Sequence, residues 1–250
     1  MRRVSIWDEL QRAWAITVKD MRIYYLRPPS IMFGILFPLT LFLSFTVGRN
    51  IPPDRIVPIL ASQTVFWASS SIGPVAIPME RRLKTFDRYL SAPISLIAIL
   101  LGKILAGVIY GLAVSSLSLT IGILIYRVSS INIPIIILGL GISSLGFSAL
   151  GIMFASIPWE NPGEVMMPLN FFRIPLLFIS GLYIPLESLP MPGQVAALLS
   201  PLTHTLDLLK YGLGEKSFFG IITNISMLFI FTTLFIFVSA AFHRKTMKKE

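Results

Sequence analysis

His204 and Asp207 stand three residues apart, a spacing that puts an imidazole and a carboxylate on one helical face and would suit proton transfer or part of a metal site. The rest of such a site is missing. The 250 residues include one other histidine, His243, and no cysteine, so thiolate metal sites, cysteine nucleophiles and disulfides are excluded together. Gly102-Lys103 has the last glycine and lysine of a phosphate-cradling loop. However, Ile104 follows where a Ser or Thr would meet Mg²⁺, and Ile97 stands where the first glycine belongs. The chain is therefore not expected to hydrolyse ATP by itself, and HExxH and GxSxG motifs are absent as well. No catalytic residue, metal ligand or bound cofactor is assigned. The remaining residue of chemical interest is Arg173, a charge inside an apolar run. Its guanidinium must face a helix interface or a watery pathway, or snorkel to a headgroup, because a lipid-facing charge costs several kcal/mol.

The elements that carry these residues follow from composition. Hydrophobic residues make up 54% of the chain and charged residues 13%, where a soluble domain has roughly 25% charged. Mean hydropathy is +0.78. Six stretches are long and apolar enough for membrane-crossing helices: 30–48, 56–79, 104–126, 133–157, 165–186 and 217–242. The fold class is thus all-α integral membrane, a single transmembrane domain over residues 1–250. Ahead of the first span, Trp7, Leu10, Trp14, Val18, Met21 and Tyr25 recur at spacings of three and four. That pattern predicts an amphipathic interfacial helix within residues 1–29, ended by Pro28 and Pro29. Residues 187–216 are cut by Pro190, Pro192 and Pro201 into pieces too short to cross, which read as interfacial or re-entrant helices before the last span.

A net charge of +9 raises nucleic acid as a partner. The cations, however, sit in short segments between uncharged runs, where anionic lipid and topology selection account for them, and no nucleic-acid partner is expected. If both termini are cytoplasmic, the inner segments hold Arg2, Arg3, Arg12, Lys19, Arg22 and Arg27, then Arg81, Arg82, Lys84, Arg88 and Lys103, then Arg244, Lys245, Lys248 and Lys249. The outer side holds Arg49, Arg55, Arg127, Lys210 and Lys216. This threefold bias predicts a multi-pass protein of the cell membrane with cytoplasmic termini and a basic tail at 243–250.

Two stretches resemble the ABC-2 family of export permeases, in its drug-resistance-like branch. Residues 80–103 start with Glu80-Arg81-Arg82-Leu83-Lys84, continue through Arg88 to the Ala92-Pro93 step, and end on Gly102-Lys103. This is similar to the family's cytoplasmic coupling segment between spans two and three, except that Lys84-Thr85 stands where Gly-Thr is common. Ser180-Gly181, Pro185, Leu189-Pro190 and Pro201-Leu202-Thr203 resemble the pattern at and after the family's fifth span, with His204 where an aromatic residue is frequent.

The resemblance implies an ABC ATPase subunit that binds ATP and Mg²⁺ and docks on the segment holding Glu80, Arg81, Arg82, Lys84, Arg88, Pro93 and Lys103. It also implies a second permease copy or a paralogue, and short outer helices forming a lid at the exit. With few charges inside the spans and many Phe and Leu, an apolar or amphipathic cargo is favoured over a sugar polymer. An ion-driven transporter would usually carry carboxylates in its spans, and these have none. An embedded enzyme would need more polar residues there than Arg173, Gln63 and Asn224.

Overall fold

A computed structural model of the chain describes residues 5–48, 53–92, 94–128 and 130–247. All regular structure among the described residues is helical. The α-helices run in chain order: α1 Ile6–Asp20, α2 Pro28–Thr46, α3 Pro53–Ser71, α4 Gly73–Arg82, α5 Thr85–Ser91, α6 Leu96–Tyr126, α7 Ile133–Ala155, α8 Pro162–Ile179, α9 Met191–Leu198, α10 Pro201–Gly212 and α11 Ile221–Met247.

Helices occupy the place of each expected span, with different ends. By length and apolarity, Arg55–Arg82, Leu96–Tyr126, Ile133–Ala155 and Ile221–His243 can each cross a membrane. A fifth crossing is available if α1 and α2, bent by 88° at their junction, together count as one broken span. The second span is itself broken, since Ile72 separates α3 from α4 and Pro74 follows at the start of α4. Proline lacks an N–H, so the carbonyl of Ser70, four residues earlier, loses its helical donor.

α6 starts at Leu96, eight residues before the expected Ile104, with the Ser95 hydroxyl accepting from Ala98 N–H at 3.1 Å. At 1.5 Å per residue such a helix is about 45 Å long, well beyond a hydrocarbon core of about 30 Å. Its first turns, with Lys103, therefore extend the bundle at the charged end. Pro93 lies outside the described residues; the chain break expected around it is bracketed by the end of α5 and the start of α6.

α3 is the centre of the bundle. In the span it forms with α4, 89% of the most apolar window is buried, whereas in α11 the figure is 22%. α11 thus offers most of its surface to lipid, while α3 is enclosed by α2, α6, α7 and α10. Lipid is as apolar as leucine, so helices here associate through close packing of small residues. A side chain on Gly111 of α6 would collide with Ser69 of α3, and one on Gly151 of α7 would sit 2.6 Å from the Ser70 carbonyl.

α1 has two faces. Ala13, Ile16, Thr17 and Asp20 are buried against α6, whereas Trp7, Leu10 and Trp14 stay exposed, as an interfacial helix requires. Gly102 allows the close approach, since a Cβ there would lie 2.5 Å from the Ala13 carbonyl oxygen. The Thr17 hydroxyl donates to the Gly102 carbonyl at 2.9 Å, and Ser95 donates to Glu9. A π-helical turn, Met21–Tyr25, then leads to α2.

Candidate functional site

At the charged end of the bundle, four ionic side chains from three helices meet in a nearly dry cluster. Lys103 of α6 places its Nζ 2.6 Å from Glu80 Oε2 of α4 and 3.2 Å from Asp20 Oδ2 of α1, and all three side chains are at most 2% exposed. Lys19 closes the ring by pairing with both Asp20 and Glu80. Two cations thus balance two anions. Burial pulls the Lys19 ammonium down, but Asp20 and Glu80 outweigh it, so its pKa ends above the ordinary 10.5. Tyr24, whose ring lies 5.3 Å from Lys19 Nζ, is pushed up to about 12 by burial first and then by Glu80.

α5 is moored to this cluster. The Tyr89 ring centroid lies 5.3 Å from Lys19 Nζ and 5.8 Å from Lys103 Nζ, a double cation–π contact. The Thr85 hydroxyl donates to the Glu80 carbonyl at 3.1 Å. On its other side Phe86 is buried near His243 of α11 and under the Arg81 guanidinium. Arg81 also donates to the carbonyls of Ala155 and Ile157 at 3.1 and 2.6 Å, where a cation suits the negative end of α7.

The expected coupling residues therefore divide. Glu80, Arg81 and Lys103 face inward and hold α4, α6 and α7 together; Arg82, Lys84 and Arg88 are exposed. Lys84 adopts φ +53°, the left-handed conformation that glycine takes without penalty. This gives a physical reason for glycine being common at this position in the pattern that the segment resembles.

Arg173 is fully buried between α8 and α3. Its Nη2 donates to the Ser70 carbonyl at 3.2 Å, Nη1 donates to Ser71 Oγ at 3.0 Å, and the guanidinium lies 4.8 Å from the Trp67 ring centroid. Arg173 thus supplies the donor that Pro74 removed from the Ser70 carbonyl, and among the described residues no carboxylate pairs with it. Its charge joins α8 to the break between α3 and α4.

The second motif is built around turns. Ser180 donates to the Leu177 carbonyl at 2.9 Å, ending α8, and Gly181 follows at φ +84°. A Cβ on Gly181 would lie 2.8 Å from Leu186 Cγ. Pro185 precedes a single 3₁₀ turn, Pro190 caps α9, and Pro201 opens α10 as its first residue. Leu202 and Thr203 are buried, as is nearly all of α10.

His204 and Asp207 do share a face of α10, but their polar atoms are engaged by the protein. The His204 ring nitrogens meet Asn224 Oδ1 at 2.7 Å and the Leu198 carbonyl at 2.9 Å. Asp207 accepts from Asn224 Nδ2 at 2.7 Å, Ser217 Oγ at 2.7 Å, and the backbone amides of Phe218 and Phe219 at 2.8 and 3.0 Å. The pair fastens α9 and α10 to the turn leading into α11.

Sequence reasoning missed Asp20, Lys19, Tyr24 and Tyr89 as members of the ionic cluster. One signal was available: Asp20 is an acid on the narrow face of α1 opposite Trp7 and Trp14, where lipid headgroups favour cations.

Comparison with known proteins covers both stretches. The family model described as ABC-2 type transporter matches residues 10–214, from α1 through α10. The inner membrane transport permease YhhJ of Escherichia coli is 29% identical over 150 residues, which is 59% of this chain and 40% of that protein. A second Escherichia coli protein, "Probable multidrug ABC transporter permease YbhR", is 23% identical over 156 residues, 62% of this chain and 42% of that one. The chain thus spans less than half the length of these two relatives. Nodulation protein J of Sinorhizobium fredii is 21% identical over 243 residues, covering 94% of this chain and 90% of its own. With an all-helical bundle whose long apolar helices can cross a membrane several times, and a family match over most of its length, the chain belongs to the ABC-2 type transporter family of multi-pass membrane permeases.

Proposed function

We propose that this chain is the membrane-spanning subunit of an ATP-driven exporter whose ATPase is a separate polypeptide docking on α5 and the end of α4. Both termini are cytoplasmic, the chain crosses six times, and two permease copies, or this one and a paralogue, form the pathway between them. The carrying observation is the mooring of α5. A short helix with exposed Arg82, Lys84 and Arg88 around it is tied through Tyr89 and Glu80 to α1, α4 and α6, so a push on α5 is passed to all three. ATP binding on the partner then shifts the permease between inward and outward states through differential contact with α5. The cargo is hydrophobic or amphipathic, in keeping with the apolar spans.

The test is co-purification in mild detergent with candidate ATPases from the same cell, followed by ATP hydrolysis with and without this chain. The expected result is a bound ATPase whose turnover depends on the permease. Replacing Arg82 and Arg88 by Glu should release it while leaving membrane insertion intact. Failure of every nucleotide-binding protein to co-purify would overturn the reading.

A further inference from the structure

The π-helical turn between α1 and α2 forms one wall of a cavity of about 600 Å³. Ile23, Tyr24 and Arg27 line it from the corner, Ala68 and Val75 from α3 and α4, and Tyr110 from α6. The volume lies within the roughly 300–1,000 Å³ range of drug-sized sites. Its mouth includes the exposed Ile23, Arg27, Met79 and Leu83, beside the interfacial helix α1.

The polar atoms of the lining are not equally available. The Tyr110 hydroxyl donates to the Ser30 carbonyl at 2.7 Å, Ser30 Oγ donates to the Tyr24 carbonyl at 2.6 Å, and Ser71 Oγ accepts from Arg173. What remains is an apolar wall, the phenol of Tyr24 apart, with one cation at its rim, since Arg27 makes no ion pair among the described residues. A neutral sugar polymer would find few hydrogen-bond partners in such a space, and a cationic drug would meet a like charge.

We propose that this cavity admits the cargo from the leaflet beside α1, and that the cargo is an anionic amphiphile whose apolar chain fills the space while its phosphate or carboxylate pairs with Arg27. This deepens the proposed function and, as a claim about cargo, rests on it. The chain-binding part stands on the cavity alone.

Native mass spectrometry of the purified full chain in a neutral detergent, titrated with 1-oleoyl-lysophosphatidate and with 1-oleoyl-lysophosphatidylcholine, tests the site without any ATPase. The expected result is roughly tenfold tighter binding of the anionic lipid, as one charge-assisted hydrogen bond would provide. Arg27→Gln, at an exposed position, should abolish the preference and Arg27→Lys should keep most of it. Val75→Trp, which fills the cavity, should weaken both lipids. Equal binding by the unaltered protein, or a preference that survives Arg27→Gln, overturns the site. If Val75→Trp leaves lipid binding intact and instead dissociates a dimer, the cavity seats a second copy and the proposal falls.

The cargo role is read separately in the reconstituted complex. Turnover stimulated by lysophosphatidate, and not in Arg27→Gln, supports it. Unchanged turnover with binding intact identifies a resident lipid and overturns it. A working ATPase complex with no charge preference sinks this inference alone; a charge preference with no ATPase sinks the permease reading and leaves a lipid site.

Discussion

Lys103, Glu80 and Asp20 give up nearly all their hydration, so their mutual pairing has to offset a desolvation cost of several kcal/mol per ion. Removing one member leaves an uncompensated buried charge. Lys103→Met should therefore destabilise the detergent-solubilised protein by about 3–5 kcal/mol, measured by chemical unfolding, and combining it with Glu80→Gln should recover part of the loss. Lys19 has its own pH signature. Its pKa is raised on folding, so its contribution is complete below the unfolded value of 10.5 and is lost progressively as pH rises beyond it. As pH rises beyond about 10.5 the unfolding temperature should fall more steeply in the native protein than in Lys19→Met; parallel curves would refute the pairing. Backbone strain gives a prediction of opposite sign. Lys84→Gly relieves the left-handed φ of +53° and should stabilise by about 1 kcal/mol. At this scale the sequence marked Glu80 and Lys103 as special and could not pair them, because they lie on opposite sides of a helix break and are joined by acids and rings from α1 and α5.

α1, α5 and α8 show what separates a pattern from a position. Of the repeat read as one interfacial face, Trp7, Leu10 and Trp14 are exposed, Val18 and Met21 are half-buried, and Tyr25 is buried, because the π-helical turn after Asp20 rotates it against Tyr110 of α6. The second face of α1, Ala13-Ile16-Thr17-Asp20, is too small and mixed to stand out, and its purpose emerges only against Gly102. Gly102→Val, which puts a branched side chain 2.5 Å from the Ala13 carbonyl, should detach α1. Limited proteolysis should then cut between α1 and α2 at least several-fold faster, with the other helices still protected. Arg173 was legible as a charge needing a partner in its span. Its partner is a carbonyl, orphaned by a proline on another helix, and no periodicity in α8 announces that. The two helices expected as the last spans also differ in legibility: α11 is long and apolar enough to cross a membrane, whereas α8 is an 18-residue helix with Pro168 and Pro175 inside it and is not among the helices that can cross by length and apolarity.

For the whole molecule, the ionic cluster lies at one end of the bundle and the turns of the Ser180–Thr203 motif lie near α10, with the enclosed α3 in contact with α6, α7 and α10. The family was legible from two short motifs in order; in the second, Gly181, Pro185, Pro190 and Pro201 sit where turns and helix starts require them. The cavity beside Arg27 was not, since its walls come from helices far apart in the chain. The proposed function turns on α5 receiving the force of a separate ATPase on the cytoplasmic side. The chain has no cysteine, so single cysteines can be placed without background. Arg88→Cys on α5 and Val195→Cys on α9, both exposed positions, should be compared for crosslinking to the co-purified ATPase with a short bifunctional maleimide. The expected result is a crosslink from position 88 that changes in yield with ATP, and none from position 195. A crosslink from position 195 with none from 88 would place the motor against α9 instead of α5 and overturn the proposed function.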